Sequence, residues 1–372
     1  MERVDVVIVG GGVMGSATAR SLGRRGVRTV LLERFRVGHA RGSSHGATRI
    51  FRLAYPHRDY VRLARRALDE WRSLQEDAGE ELLVRTGGLD TGPTADDCGA
   101  ALAAAGIEHR WLTQVEATDR FPAIAFDGFE RVLFQPDAGV CLAERTVAAQ
   151  VRIAARAGVE VREETEVLGI EPSADGVLVS TKDGEVEGNV VVVTAGPWAG
   201  PLLGGIVGAT SLTPTLQHLA YFEPREPGVA EGMPTFIEWL SPTDVWYAVP
   251  PAGTAPGAKA GEHRVGPVVD PADGPFAVDP SALGPIAAYV ERRLPGLRAR
   301  PVAPETCLYT MTPDEDFVVD RVGKVVVGAG FSGHGFKFAP LIGEALAALA
   351  LGEDPGLPPG RFSVPRGSPP PG

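Results

Sequence analysis

The chain has 372 residues, 44% hydrophobic and 22% charged, a balance that suits a globular protein with two or three core-forming units. A net charge of −11 argues against nucleic acid or an anionic membrane as the main partner, so a site for an anion must supply its own cations. Three cysteines, Cys98, Cys141 and Cys307, are too few and too oddly counted for a disulfide framework and fit a reducing, cytoplasmic compartment.

Residues 4–9 (VDVVIV) read as a buried parallel strand that begins too close to Met1 for a cleavable signal peptide. No run of about 18 apolar residues follows anywhere, so no membrane span is expected. A glycine turn, a helix over 13–26 and a strand over 29–32 ending at Glu33 complete a βαβ unit. A polar, Gly-rich loop covers 41–49, and a charged amphipathic helix covers 59–75. Residues 81–140 are turn-rich, with short segments at 82–84 and 132–134. Helix and strand return at 143–157 and 159–161, then a hydrophobic strand at 190–194. The stretch 215–300 is β-like and proline-rich, with a loop of small residues over 250–261. A strand at 324–327, a glycine turn at 328–330 and an apolar helix over 341–351 close the fold, and a tail over 361–372 is expected to be disordered.

Nucleotide-type pieces thus lie at the start, middle and end. The expected fold is α/β: a discontinuous Rossmann-like domain (1–80, 141–214 and 305–360) and a mostly antiparallel β substrate domain (81–140 and 215–304).

Gly10-x-Gly12-x-x-Gly15 follows a strand and opens a helix, the context that a dinucleotide motif requires. Gly10 permits the tight turn, Gly12 lets a pyrophosphate approach the backbone, and Gly15 lets helix and strand pack closely. Glu33 is placed to accept from a ribose hydroxyl pair, which disfavours NADP. The motif alone does not separate FAD from NAD.

Three further stretches carry more: Gly42-Ser43-Ser44-His45-Gly46-Ala47-Thr48-Arg49-Ile50-Phe51-Arg52, Thr306-Cys307-Leu308-Tyr309-Thr310, and Gly330-Phe331-Ser332-Gly333-His334-Gly335-Phe336-Lys337-Phe338. With the glycine motif, and in the same order over about 4–352, they resemble the monomeric sarcosine oxidase and N-methyltryptophan oxidase family, within the D-amino-acid oxidase-like flavoproteins. The resemblance implies FAD, held covalently through the sulfur of Cys307, an attachment that needs a thiolate. It implies cofactor contacts from Gly10, Gly12, Val13, Met14, Gly15, Glu33, Arg34, Ser43, Ser44, Thr48, Gly330, Gly333, Gly335 and Lys337. Arg52 and Lys337 would grip a substrate carboxylate, one as a planar fork and one as a point charge, with Tyr309 beside them. Arg49 and His45 would lie beside the flavin ring, and His263 would be an active-site histidine.

Lys259 matches the lysine thought to activate oxygen, whose one-electron reduction creates an anion that a fixed cation stabilises. At about 4 Å and an effective dielectric of about 20 that attraction is roughly 4 kcal/mol. The last helix, after Gly333, would aim its N-terminus at the flavin pyrimidine. Departures are Ala47, where relatives carry an acid, Ser44, where they often carry histidine, and Glu262, which replaces an aromatic.

The reaction implied is oxidation of a small secondary amine, an N-methyl or cyclic amino acid, with oxygen as acceptor, by a monomer that uses no metal. His218, Met233, Trp239, Trp246 and Tyr247 are candidate pocket walls. A flavin dehydrogenase that passes electrons to a carrier stays open, with Lys259 as the argument against it. An NAD-dependent dehydrogenase leaves Cys307 and the stretch 331–338 unexplained, and a non-catalytic flavin protein leaves the cations unexplained.

Overall fold

The computed structural model describes residues 2–204, 211–263 and 266–364. The strand Glu2–Val9 has parallel neighbours on both edges, Thr29–Leu32 and Gly184–Val193, with Val6 opposite Thr29 and Val190. A strand covered on both faces reads as a nearly unbroken apolar run rather than an alternation, and residues 4–9 do so. Eight strands form this sheet among the described residues: Glu160–Arg162 lies at an edge beside Thr29–Leu32, and Val325–Ala329 pairs with both Gly184–Val193 and Val318–Val322. Helix Val13–Arg24 packs between helices Ala143–Arg156 and Ala339–Leu351. Gly343 makes the second approach feasible, since a Cβ there would lie 2.5 Å from the Cβ of Ala17.

The second sheet also has eight strands. Its order is Leu297–Met311, Thr213–Pro224, Ala258–His263, Val245–Val249, Thr235–Trp239, Gly88–Thr91, Arg131–Gln135 and Arg110–Thr113. Every pairing is antiparallel except Thr235–Trp239 with Gly88–Thr91. Alternation decides what each face carries. Phe222, Phe236, Ala248, Ala258 and Ala260 bury themselves under helix Pro280–Arg293, against Ile286, Tyr289 and Val290. Their neighbours in sequence, Ile237, Tyr247, Val249 and Lys259, face the other way, into a cavity between the two sheets. A small sheet of Thr48–Phe51, Gly139–Leu142 and Leu83–Val84 closes one side.

The mixed α/β architecture expected from the sequence is present, and four local expectations are corrected. The loop expected over 250–261 ends in the strand Ala258–His263, where Lys259 lies opposite Tyr221 and Val249. The turn-rich stretch 81–140 contains helices Thr94–Ala104 and Gln114–Arg120, the latter started by a reciprocal capping box of Thr113 and Glu116. Within 215–300, Asp279 caps helix Pro280–Arg293. The tail expected to be disordered from 361 is anchored over its first residues: Phe362 and Val364 are buried, and Arg361 pairs with Asp316 at 3.0 Å. Residues 365–372 lie outside the described ones. No helix among the described residues is long and apolar enough to cross a membrane.

Candidate active site

Between the sheets lies a cavity of about 590 Å³, within the range of about 300–1,000 Å³ usual for cofactor and small-molecule sites. One wall is glycine. Gly10 has φ +101°, and a Cβ on it would sit 2.6 Å from the carbonyl oxygen of Thr194. A Cβ on Gly15 would lie 1.8 Å from the carbonyl oxygen of Gly10, so neither position tolerates a side chain. The helix that follows starts at Gly12 without a side-chain cap, and its Val13 N–H donates to Ser44 Oγ at 3.1 Å. Glu33 accepts from the N–H groups of Gly11 and Phe35 at 2.7 and 2.8 Å. Burial alone would raise its pKa, but His39 and those two N–H groups hold it below the usual carboxylate value. Arg34, paired with Glu166 at 3.0 Å, lies 5.4 Å from the Phe35 ring and 5.9 Å from the Trp198 ring.

The loop 43–49 is drawn together by Arg49. Its guanidinium donates to the carbonyls of Thr48, Ser43 and His45 at 2.8, 2.9 and 2.6 Å, and Nη2 lies 3.8 Å from Cys307 Sγ. Lys259 Nζ also donates to the Thr48 carbonyl, so two cations share one oxygen. Gly46 N–H is held by Glu144 at 3.0 Å. Burial first, and Arg49 second, push the Lys259 pKa well down, against the pull of Cys307 and Glu305. His45 is pushed down to about 4 by burial and by Arg49, His39 and Lys259, so it stands as a neutral imidazole at pH 7. Cys307 is a buried free thiol on the strand Leu297–Met311, directly opposite Gln217.

Arg52 and Lys337 also line the cavity. Arg52 donates to the carbonyl of Ala54 at 2.8 Å and lies over the rings of Tyr55 (4.2 Å) and Trp239 (5.2 Å). Lys337 Nζ donates to the carbonyl of His334 at 2.8 Å and lies 5.7 Å from the same Tyr55 ring. Burial, then the charge of Arg52, push the Lys337 pKa well below its ordinary value. An anion placed between the two would reverse both penalties, so the pair is chemically able to receive a carboxylate. His263 Nδ1 meets the Tyr309 hydroxyl at 3.3 Å, and the Tyr309 ring fills the space that a Cβ on Gly333 would occupy, 2.3 Å away. Gly333 needs its positive φ of +76°. A 3₁₀ turn, Phe336–Phe338, stands between Gly333 and the last helix, and Gly335 to Lys337 line the cavity ahead of it.

The structure brings nearly all of the anticipated residues onto this one cavity. Gly10, Gly12, Val13, Met14, Glu33, Arg34, Ser43, Ser44, His45, Arg49, Arg52, Lys259, His263, Cys307, Tyr309, Gly330, Gly333, Gly335 and Lys337 line it. Gly15 and Thr48 stand behind the wall, the first as a packing contact and the second through its carbonyl. Of the five candidate walls, Tyr247 lines the cavity. Trp239 lies behind Arg52, Met233 and Trp246 belong to the core on the opposite face of the sheet, and His218 accepts from Asp279 N–H at 3.1 Å. Sequence reasoning missed Trp198 and Gln217, which line the cavity from a turn and a strand without a recognisable motif, and gave Thr310 no role although it closes the stretch around Cys307. It also missed Asp90, whose signal was an acid inside a fully buried strand, Gly88–Thr91.

The residues present fit a flavin dinucleotide. The glycine cradle leaves room against backbone, and three buried polar atoms on cavity-lining residues, Trp198 Nε1, Gln217 Oε1 and Thr310 Oγ1, have no hydrogen-bond partner in the protein. Buried polar atoms are rarely left so, and a ligand would satisfy them. Among the described residues no cluster of His, Cys, Asp or Glu could hold a metal ion.

Comparison with known proteins agrees. The family model described as FAD dependent oxidoreductase matches residues 5–349. Peroxisomal sarcosine oxidase of Mus musculus is 34% identical over 361 residues, covering 93% of this chain and 92% of its own. N-methyl-L-tryptophan oxidase of Citrobacter koseri is 30% identical over 366 residues, covering 95% and 96%. Among solved structures, NikD, described as an unusual amino acid oxidase essential for nikkomycin biosynthesis, superposes with a TM-score of 0.85 at 27% identity, covering 98% of each chain.

Proposed function

This chain belongs to the FAD dependent oxidoreductase family, and on that premise we propose that it is an oxidase of a small secondary amine, an N-methyl or cyclic amino acid. The observation that carries the reading is convergence: a carboxylate receptor (Arg52, Lys337), a buried cation pair (Arg49, Lys259) and a thiol (Cys307) share one cavity with a glycine cradle. Relatives named for oxidising sarcosine and N-methyl-L-tryptophan support the substrate class.

When bound, FAD supplies the two-electron acceptor that the oxidation needs. Gly10, Gly12 and the start of helix Val13–Arg24 hold its pyrophosphate, and Glu33 its ribose. Cys307 would be the residue that tethers it covalently, and Arg49 Nη2 lies 3.8 Å from its sulfur. Arg52 and Lys337 fix the substrate carboxylate, which leaves the amine among Tyr309, His263 and Tyr247. Lys259 would supply positive charge where oxygen becomes an anion, because that anion would offset the burial and the Arg49 charge that push its pKa down. The sum is secondary amine, oxygen and water giving aldehyde, primary amine and hydrogen peroxide. The protein acts as a cytoplasmic monomer, in line with its three free cysteines and with relatives named as monomeric enzymes.

The test is a peroxide assay over a panel of N-methyl and cyclic amino acids with their decarboxylated counterparts. Peroxide is expected from at least one amino acid, and less from its uncharged counterpart. A flavin-loaded protein that reacts with amino acids in the panel yet forms no peroxide in air would contradict the oxidase reading.

A further inference from the structure

Behind Arg52 lies a buried carboxylate that the reaction described above does not use. Asp90 is 1% exposed and does not line the cavity. Its Oδ2 accepts from Gln135 Nε2 at 2.8 Å, its Oδ1 accepts from Trp239 Nε1 at 3.1 Å, and Arg52 Nη1 stands 3.6 Å from Oδ1. Gln135 is fixed in turn, because its Oε1 accepts from the N–H groups of Leu53 and Ala54 at 2.8 and 2.9 Å. Burial pushes the Asp90 pKa up, against the pull of Arg52, Trp239 and Gln135, and both of its oxygens accept N–H bonds, which is how an ionised carboxylate is held. Tyr55, Cys98 and His334 also face this cluster, all uncharged at neutral pH because burial penalises their ionised forms.

We propose that Asp90 determines specificity: by cancelling the charge of Arg52 from behind, it leaves the carboxylate receptor with the single net positive charge of Lys337, and so selects substrates bearing one carboxylate over those bearing two. A monoanion brings the buried cluster to neutrality. A dianion would leave an uncompensated negative charge in a dry, low-dielectric place, which is costly. The inference rests on the reading of Arg52 and Lys337 as the carboxylate receptor and adds a selection rule to it.

The probes are propionate and malonate, similar in size and different in charge, titrated into the flavin-loaded protein while the visible flavin absorbance is followed. Wild type should bind propionate at least tenfold more tightly than malonate. Asp90→Asn keeps the shape and removes the charge, so malonate should gain at least tenfold relative to propionate. Equal binding of the two by wild type would overturn the proposal, whether or not the variant folds. Weakening of both anions to the same extent in Asp90→Asn would also overturn it, by making Asp90 a purely structural support. If neither anion binds wild type, the proposal falls together with the carboxylate-receptor reading, an outcome distinct from binding without selectivity.

Discussion

The wall that the parallel sheet contributes to the cavity is made of main chain, whereas the rest of the lining presents charged side chains that the protein must itself support: Lys259 from the antiparallel sheet, Arg52 from the end of the small sheet and Lys337 from the 3₁₀ turn before the last helix. Gly10, Gly12 and Gly15 work by lacking a Cβ, and their neighbours in space are the carbonyls of Thr194 and Gly10 and the hydroxyl of Ser44. Lys259, Arg52 and Lys337 are buried cations, each supported by a backbone carbonyl: Thr48, Ala54 and His334. Damage to the first wall should therefore be steric and all-or-none. Damage to the second should separate steps of the reaction if, as proposed, Arg52 and Lys337 serve the substrate carboxylate and Lys259 serves the oxygen anion.

The largest effect belongs to the glycine wall. Gly15→Ala places a Cβ 1.8 Å from a carbonyl oxygen, and the purified variant should lose most of its absorbance near 450 nm while wild type is yellow. A fully yellow variant would erase the distinction between the two walls. Next is Lys259→Met. Stopped-flow should show anaerobic reduction by a good substrate close to normal, and reoxidation by oxygen slowed by about a hundredfold or more. Equal slowing of both halves would mean that Lys259 supports the loop 43–49 through Thr48 rather than oxygen chemistry.

Lys337→Met should raise KM for a carboxylate substrate about ten- to a hundredfold, the worth of a charge-assisted hydrogen bond, and much less for the matching uncharged amine. An equal change for both would remove Lys337 from the receptor. A separate, pH-dependent effect concerns His45. Its folded-state pKa of about 4 lies below the ordinary 6.5, so the unfolded chain binds the extra proton across that window. Stability from this group is present above about pH 6.5 and declines as pH falls toward 4, by up to about 3 kcal/mol. Denaturant unfolding at pH 7 and pH 4.5 should show a larger loss for wild type than for His45→Asn, and parallel losses would contradict the assignment.

The same contrast explains what the sequence reveals. The glycine wall is legible because its physics is local: strand, turn, helix, strand and acid lie within residues 4–33. The cations of the second wall are legible through short motifs around Arg49, Cys307 and Lys337, but their supports are not. Asp90, Gln135 and Trp239 converge on Arg52 from three strands far apart in sequence, and no spacing rule announces such a meeting. Lys259 was anticipated as a site residue but expected in a loop, because Gly257, Ala258, Ala260 and Gly261 suggest flexibility. In the structure those small residues make a strand that fits tightly: Gly257 lies under the carbonyl of Phe222, and Gly261 under the ring of Tyr247. Phe362 was missed because a proline-rich tail overshadowed the one aromatic that reaches the core.

The central claim is that both walls serve one flavin, with Cys307 of the antiparallel sheet joined to a cofactor cradled by the parallel one. Acid precipitation followed by proteolysis and mass spectrometry tests it directly. The flavin should remain with the polypeptide and add its mass to the peptide that contains Cys307, and Cys307→Ser should release it to the supernatant. Flavin that is fully released from wild type, or found on a peptide without Cys307, would contradict the claim.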